Sequence, residues 1–265
     1  MKFWREEIDS AELAEVVHKG PYESFCEKRA ASRAVSWFLA LIAVLMFVVP
    51  SQAQVQRSFI NQGFEQPVLV PSNAANGCYV QVTDGTVPGW STTHPNVQGS
   101  GNCTSPSAAS GALIELWRAP FNGVTAAEGS QFAELNAERA SRLYQTVCLV
   151  AGEQFAYRFS HRSRSGGNEV ADFNIAPTAN GTRTQIVRST VSGSAWANRT
   201  GTYTFPGPSG VQTLGFEAIG GTTAGNFLDN IQITLTPYLE FVPGNSSAWK
   251  ASPQPTCPRC AWRAF

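Results

Sequence analysis

The side chains best suited to chemistry are acids, amides, arginines and a tryptophan, spaced two apart along short apolar stretches. Glu115 and Trp117 alternate with Ile114 and Leu116, Glu134 and Asn136 flank Leu135, and Arg158 and Arg162 recur within an aromatic segment. In an extended chain such residues point to one side. If their strands lie side by side, Trp117, Glu134, Asn136, Arg158 and Arg162 share one surface. An aromatic plate with planar polar groups around it suits a ring that is apolar on its face and hydroxylated at its edge. The opposing reading packs Trp117 in a core and leaves the charges on a solvated face. Glu115 and Glu134 also invite comparison with a glycosidase pair, which works at a carboxyl separation of about 5–10 Å, yet their context carries no sign of raised acidity. No G-x-S-x-G nucleophile elbow occurs, and beyond residue 53 the histidines are His94 and His161. His161 ends an aromatic strand and reads as a hydrogen-bonded structural residue. The expectation is a binding protein with no catalytic residues, not an enzyme.

A second set of residues concerns ions and cross-links. Alternation in 227–236 turns Phe227, Ile231, Ile233 and Leu235 inward, and Asp229 falls on that same side. An unpaired buried charge is costly, so Asp229 calls for an arginine or a hard cation. Calcium favours several oxygen ligands. Glu65, in Asn61-Gln-Gly-Phe-Glu65, is the other candidate ligand, because the first and last strands of a jelly roll commonly adjoin. Cys78 and Cys103 flank a Gly/Ser/Pro/Asn-rich stretch and are expected to pair, a closure worth roughly 3 kcal/mol. Cys148 lies mid-strand and reads as a buried thiol. Cys257-Pro-Arg-Cys260 is a single C-x-x-C without a second pair, a weak motif read as a local disulfide or free thiols.

The elements that must position these groups are short strands. Candidates run over 57–61, 64–70, 78–83, 112–118, 131–137, 142–149, 154–162, 169–176, 183–190, 201–206, 211–219 and 227–236. Breakers such as Pro88-Gly89, Asn180-Gly181 and Gly207-Pro208 separate them. No dozen-residue window has a helical period, and no βαβ alternation appears. The fold class expected is all-β, a jelly-roll sandwich over 54–237. Phe155, Tyr157, Phe159 and His161 should face its core, as should Leu214 and Phe216. Trp90 and Trp196 follow turns and should plug sandwich ends.

Ahead of that module, Ala34–Val49 is an apolar run, polar only at Ser36, with Arg29 and Arg33 before it and Ser51-Gln-Ala53 after it. These features describe a signal peptide over 1–53, or an uncleaved N-terminal anchor, and so an exported chain. Such an anchor is the one expected membrane contact. Residues 238–265 read as an irregular tail or the start of a second domain. Charged residues make up 14% and balance to net zero, which argues against a nucleic-acid partner.

Several short motifs occur in a familiar order. Phe59-Ile-Asn-Gln-Gly-Phe-Glu-Gln-Pro67, Pro88-Gly-Trp90, the strand pair through Cys148 and Phe159, the Trp196-to-Ala218 block and Asn226-Phe-Leu-Asp-Asn-Ile-Gln-Ile233 resemble galactose-binding-like jelly-roll carbohydrate-binding modules of bacterial secreted and surface proteins. Glu115-Leu-Trp117, Glu134-Leu-Asn-Ala137 and His161-Arg-Ser-Arg164 strengthen the likeness, which spans about 57–236. The resemblance implies a structural calcium between the first and last strands, with Glu65 and Asp229 as side-chain ligands. It also implies a glycan or cell-surface polysaccharide as partner. The alternatives are an adhesion module that contacts a cell-surface protein without a sugar site, and an exported hydrolase.

Overall fold

Short alternating segments cut by glycine and proline can satisfy their backbone only by pairing with one another. In the computed structural model, which describes residues 56–235, they form fourteen strands. These are β1 (Val70–Pro71), β2 (Cys78–Thr83), β3 (Ser91–Thr92), β4 (Asn96–Gln98), β5 (Cys103–Ser105), β6 (Ser110–Arg118) and β7 (Gln131–Glu134). They continue with β8 (Arg142–Leu149), β9 (Gln154–Arg162), β10 (Glu169–Ala176), β11 (Thr184–Val191), β12 (Ala197–Thr204), β13 (Gly210–Ala218) and β14 (Phe227–Thr234). The signal and tail segments, with Cys257 and Cys260, lie outside the described residues.

A five-stranded sheet has the order β11-β10-β13-β8-β3. A seven-stranded sheet runs β12-β9-β14-β7-β6-β2, with β4 also paired to β6. Every ladder between strands is antiparallel. The sheets bury one shared core. Ile114, Leu116, Phe155, Phe159 and Leu228 come from the larger sheet and meet Leu143, Val147, Phe173, Leu214 and Phe216 of the smaller. Phe159 meets Phe216 edge-on at 5.0 Å, and Phe173 stacks on Phe216 at 4.8 Å. Each such side chain stabilises by about 1.5–3 kcal/mol through burial. Trp90 closes one end, stacked on Phe64 at 4.8 Å, and its Nε1–H donates to the Asn61 carbonyl at 2.9 Å. This is the jelly-roll sandwich expected.

The differences are local and have physical causes. Residues 57–61 and most of 64–70 form no strand, because the chain turns at Asn61 and Phe64, both with positive φ. The strands β3, β4 and β5 are two or three residues long, too short to show a period. The inward reading of β14 is corrected for its first half. Asp229 pairs with Ser160, but the next pair is Gln232 with Arg158, so β14 carries one extra residue. Asn230 takes that bulge in the left-handed region, at φ 49°. Ile231 and Ile233 therefore face the main core with Leu228, while Phe227 belongs to a separate cluster on the opposite face.

Cys78 and Cys103 are disulfide-bonded, Cα to Cα 5.1 Å, tying β2 to β5. Cys148 is also disulfide-bonded, which corrects its reading as a thiol. The Cys78–Cys103 loop spans 25 residues, so replacing both cysteines by alanine should lower the unfolding free energy by about 3 kcal/mol. Urea denaturation measures this, and an unchanged midpoint would contradict it.

Candidate functional site

Strand register carries one row of side chains across the outer face of the seven-stranded sheet. Gln81 lies opposite Glu115, Glu115 opposite Glu134, Glu134 opposite Phe227, and Phe227 opposite Arg162. Trp117 stands in the next row, opposite Phe132, and Arg158 lies opposite Gln232. Trp117, Glu134, Arg158 and Arg162 thus do share a face. That face is largely closed. Trp117 is 2% exposed and sits in a second cluster with Val124, Phe132 and Phe227 under the β6–β7 connection. Its ring lies 4.9 Å from Phe227 and 5.8 Å from Phe132. The Arg164 guanidinium covers it at 5.0 Å. Trp117 is therefore packing and not a plate for ligand. Trp196 borders this cluster and is tied to it through Nε1–H, which donates to the Thr125 carbonyl at 2.8 Å. Arg158 and Arg162 are only partly buried, on the part of the sheet beyond the cluster.

Glu115 and Glu134 are 2% and 1% exposed. Trp117 Nε1–H donates to one Glu115 oxygen at 2.8 Å, and Gln81 Nε2 donates to the other at 2.7 Å. Glu134 accepts from Arg164 through both oxygens at 3.0 Å and from the Gly225 N–H at 2.7 Å. The two carboxyls stand opposite each other across the β6–β7 ladder and influence each other's protonation directly. Burial pushes both upward, and with Glu115 beside it Glu134 is pushed up to about 9. Such a pair titrates as a unit, and it keeps one proton through neutral pH.

Glu65 and Asp229 converge on one stretch of the β6–β7 connection. Glu65 accepts from the N–H groups of Ser130 and Gln131 at 2.7 and 2.9 Å and from the Ser130 hydroxyl at 2.8 Å. Asp229 accepts from the N–H groups of Ala127, Glu128 and Asn230 at 2.7, 2.9 and 2.6 Å. Burial, with Glu128 nearby, pushes Asp229 up to about 7 despite those donors. Calcium wants six to eight oxygens. Here hydrogens point at both carboxylates, and among the described residues no cluster of three or more His, Cys, Asp or Glu residues suits a metal. As arranged, Glu65 and Asp229 do not fit the expected cation; they fit backbone amides.

Asn136 is buried and serves as a link. Its Oδ1 accepts from Asn226 Nδ2 at 2.9 Å, and its Nδ2 donates to the carbonyls of Gly220 and Thr222 at 3.3 and 3.4 Å. His161, neutral because burial lowers it to about 4, continues the chain from Asn226 to Ser189. Asn136 thus fixes a loop that forms one wall of a cavity of about 540 Å³ at the sandwich rim. Val97, Gln98, Glu138, Arg139, Ala140, Gly221, Thr222 and Thr223 line it. Glu138, also in the lining, is anchored as well: its carboxylate accepts from Gln81 Nε2 at 3.0 Å and its N–H donates to His94 Nε2 at 3.2 Å. Burial holds His94 below the usual histidine range, which preserves that acceptor. The sequence reading missed this cavity. Glu138, Arg139, Thr222 and Thr223 lie in turns without a period, although Gln81 alternates visibly along β2.

Solved structures similar to this chain include carbohydrate-binding modules, an adhesin domain of Lys-gingipain and the enzymatically active domain of a bacteriophage tailspike protein. A family 4 module is 17% identical and matches over 68% of this chain and all of its own, with a TM-score of 0.36. The xylan-binding domain from a family 22 module of Paenibacillus barcinonensis is 13% identical over 63% of this chain and all of its own, TM-score 0.34. A family 61 module in complex with β-1,4-galactotriose is 15% identical over 68% of this chain and all of its own, TM-score 0.31. No protein-family model matches the chain, and no curated protein matches it.

Two measurements follow from this geometry. Asp229→Ala should cost about 1–3 kcal/mol, since it strands half-buried amides of the connection, whereas a chelator should leave the melting temperature unchanged; a chelator-induced drop reversed by calcium would refute the amide clasp. The second concerns pH. The Glu115–Glu134 pair binds a proton more tightly folded than unfolded, so its contribution is complete below the ordinary glutamate pKa of 4.5 and is lost as pH rises toward about 9. Glu115→Gln supplies a permanent hydrogen in that place and should flatten the decline of melting temperature between about pH 5 and 9. Parallel curves for variant and wild type would exclude the shared proton.

Proposed function

We propose that this is an exported, non-catalytic carbohydrate-binding module whose site is the rim cavity, not the Trp117 face. The observation that carries this reading is the lining of the cavity: a carboxylate, a guanidinium, a carboxamide and two hydroxyls, on walls held by half-buried hydrogen bonds. Sugar hydroxyls are met by such planar and hydroxylic groups, and walls fixed in advance reduce the ordering cost of binding. The volume suits a small ligand or one end of a chain. Export rests on the basic-flanked apolar run before residue 53, and a glycan or cell-surface polysaccharide is the partner that reading suits. A hydrolase draws no support from Glu115 and Glu134, which stand opposite each other and are covered.

One observation favours a second reading, an adhesion module that contacts a cell-surface protein. The tryptophan expected to stack on sugar is sealed under Arg164 and the β6–β7 connection. A glycan array separates the two. The carbohydrate reading expects millimolar-to-micromolar binding that falls about tenfold in Glu138→Gln, the loss of one charge-assisted hydrogen bond. Wild-type protein that binds no glycan would leave the adhesion reading standing.

A further inference from the structure

Within the cavity the two charged side chains are not in the same condition. The Glu138 carboxylate already has a donor in Gln81 Nε2. Arg139 is exposed and, among the described residues, takes part in no ion pair. Glu138 is the one acid beside it in the lining and is not ion-paired with it, and the other polar groups, Gln98, Thr222 and Thr223, are neutral. The lining contains no aromatic ring, so a sugar there is held by its edges and substituents. The group the cavity lacks is an anion that accepts from a guanidinium fork.

Resting on the carbohydrate reading, we propose that the cavity selects an acidic sugar, with Arg139 taking the carboxylate of a uronic-acid residue. Arginine matches a planar carboxylate through two parallel hydrogen bonds, which lysine cannot reproduce. Glu138 then serves the ring hydroxyls, which are donors, and Gln81 keeps it oriented. Thr222 and Thr223 supply hydroxyl contacts on the wall that Asn136 fixes. A sulfated sugar offers the same sign of charge on a tetrahedral group, and the test has an arm for it.

The experiment is calorimetric titration of the full chain with a galacturonate trimer, β-1,4-galactotriose and a sulfated galacto-oligosaccharide. The proposal expects the uronate to bind at least about tenfold tighter than the neutral trimer, with the gap narrowing as salt rises to about 0.5 M. Arg139→Gln should erase the gap and Arg139→Lys should recover only part of it, with melting curves confirming that both variants fold. Equal affinity for neutral and acidic trimers would overturn the acidic-sugar assignment and leave carbohydrate binding intact. Preference for the sulfated ligand over the uronate would overturn the carboxylate. Loss of the preference in Arg158→Gln, on the open sheet face, would overturn the cavity as its site. Binding to none of the three, on an array that also stays blank, would overturn the carbohydrate reading itself.

Discussion

Two carboxylates grip one short piece of backbone, and the outer face of the larger sheet takes its form from that grip. Glu65 and Asp229 between them accept six hydrogen bonds, five of them from residues 127–131 and the Ser130 hydroxyl. Those donors belong to a connection that ordinary loop physics would leave mobile over the surface. Once held, it lays Val124 on Trp117 and completes an apolar cluster outside the sandwich. Without those acceptors the half-buried amides would lose their partners and the connection its hold on the sheet. The chain ends of the module and its central connection are thereby made one unit.

Beside that cluster the same face is polar and equally closed. Gln81 joins Glu115 to Glu138, Arg164 joins Glu134 to the Trp117 ring, and Asn136 joins Asn226 to the Gly220–Thr222 backbone. Buried polar groups of this kind specify geometry only when each has a partner. The groups just named do, although Arg162 Nε on the same face is buried without one, and the effect is felt at the rim, where Glu138 and Thr222 both line the cavity. The residues with the most unusual acidity are thus framework, and the groups free to meet a ligand are at ordinary exposed positions.

Much of this was legible in the sequence. Period-two alternation located β2, β8, β9 and β10 closely, placed Phe155, Phe159, Leu214 and Phe216 in the core, and gathered Trp117, Glu134, Arg158 and Arg162 on one face. The Cys78–Cys103 pair was readable from the loop it closes. Alternation says which side of a sheet a residue occupies, however, and nothing about what folds over that side. Trp117 was misjudged because its cover comes from a connection whose position depends on carboxylates distant in sequence. Asp229 was put on the wrong face because one residue at Asn230 shifts the phase of β14. Glu138 and Arg139 carried no signal, since turns have no period to read.

A sheet whose surface is closed over Trp117 and Glu134 offers a ligand its margin before its middle. A long concave face can lie along a polymer and engage it anywhere, so its capacity grows with the mass of the polymer. On the proposed reading, a rim cavity of about 540 Å³ would admit a terminus or a branch point, and its capacity would follow the number of such points. At equal mass, a polysaccharide cut into short pieces would therefore present this module with more places to hold than the same polysaccharide left whole.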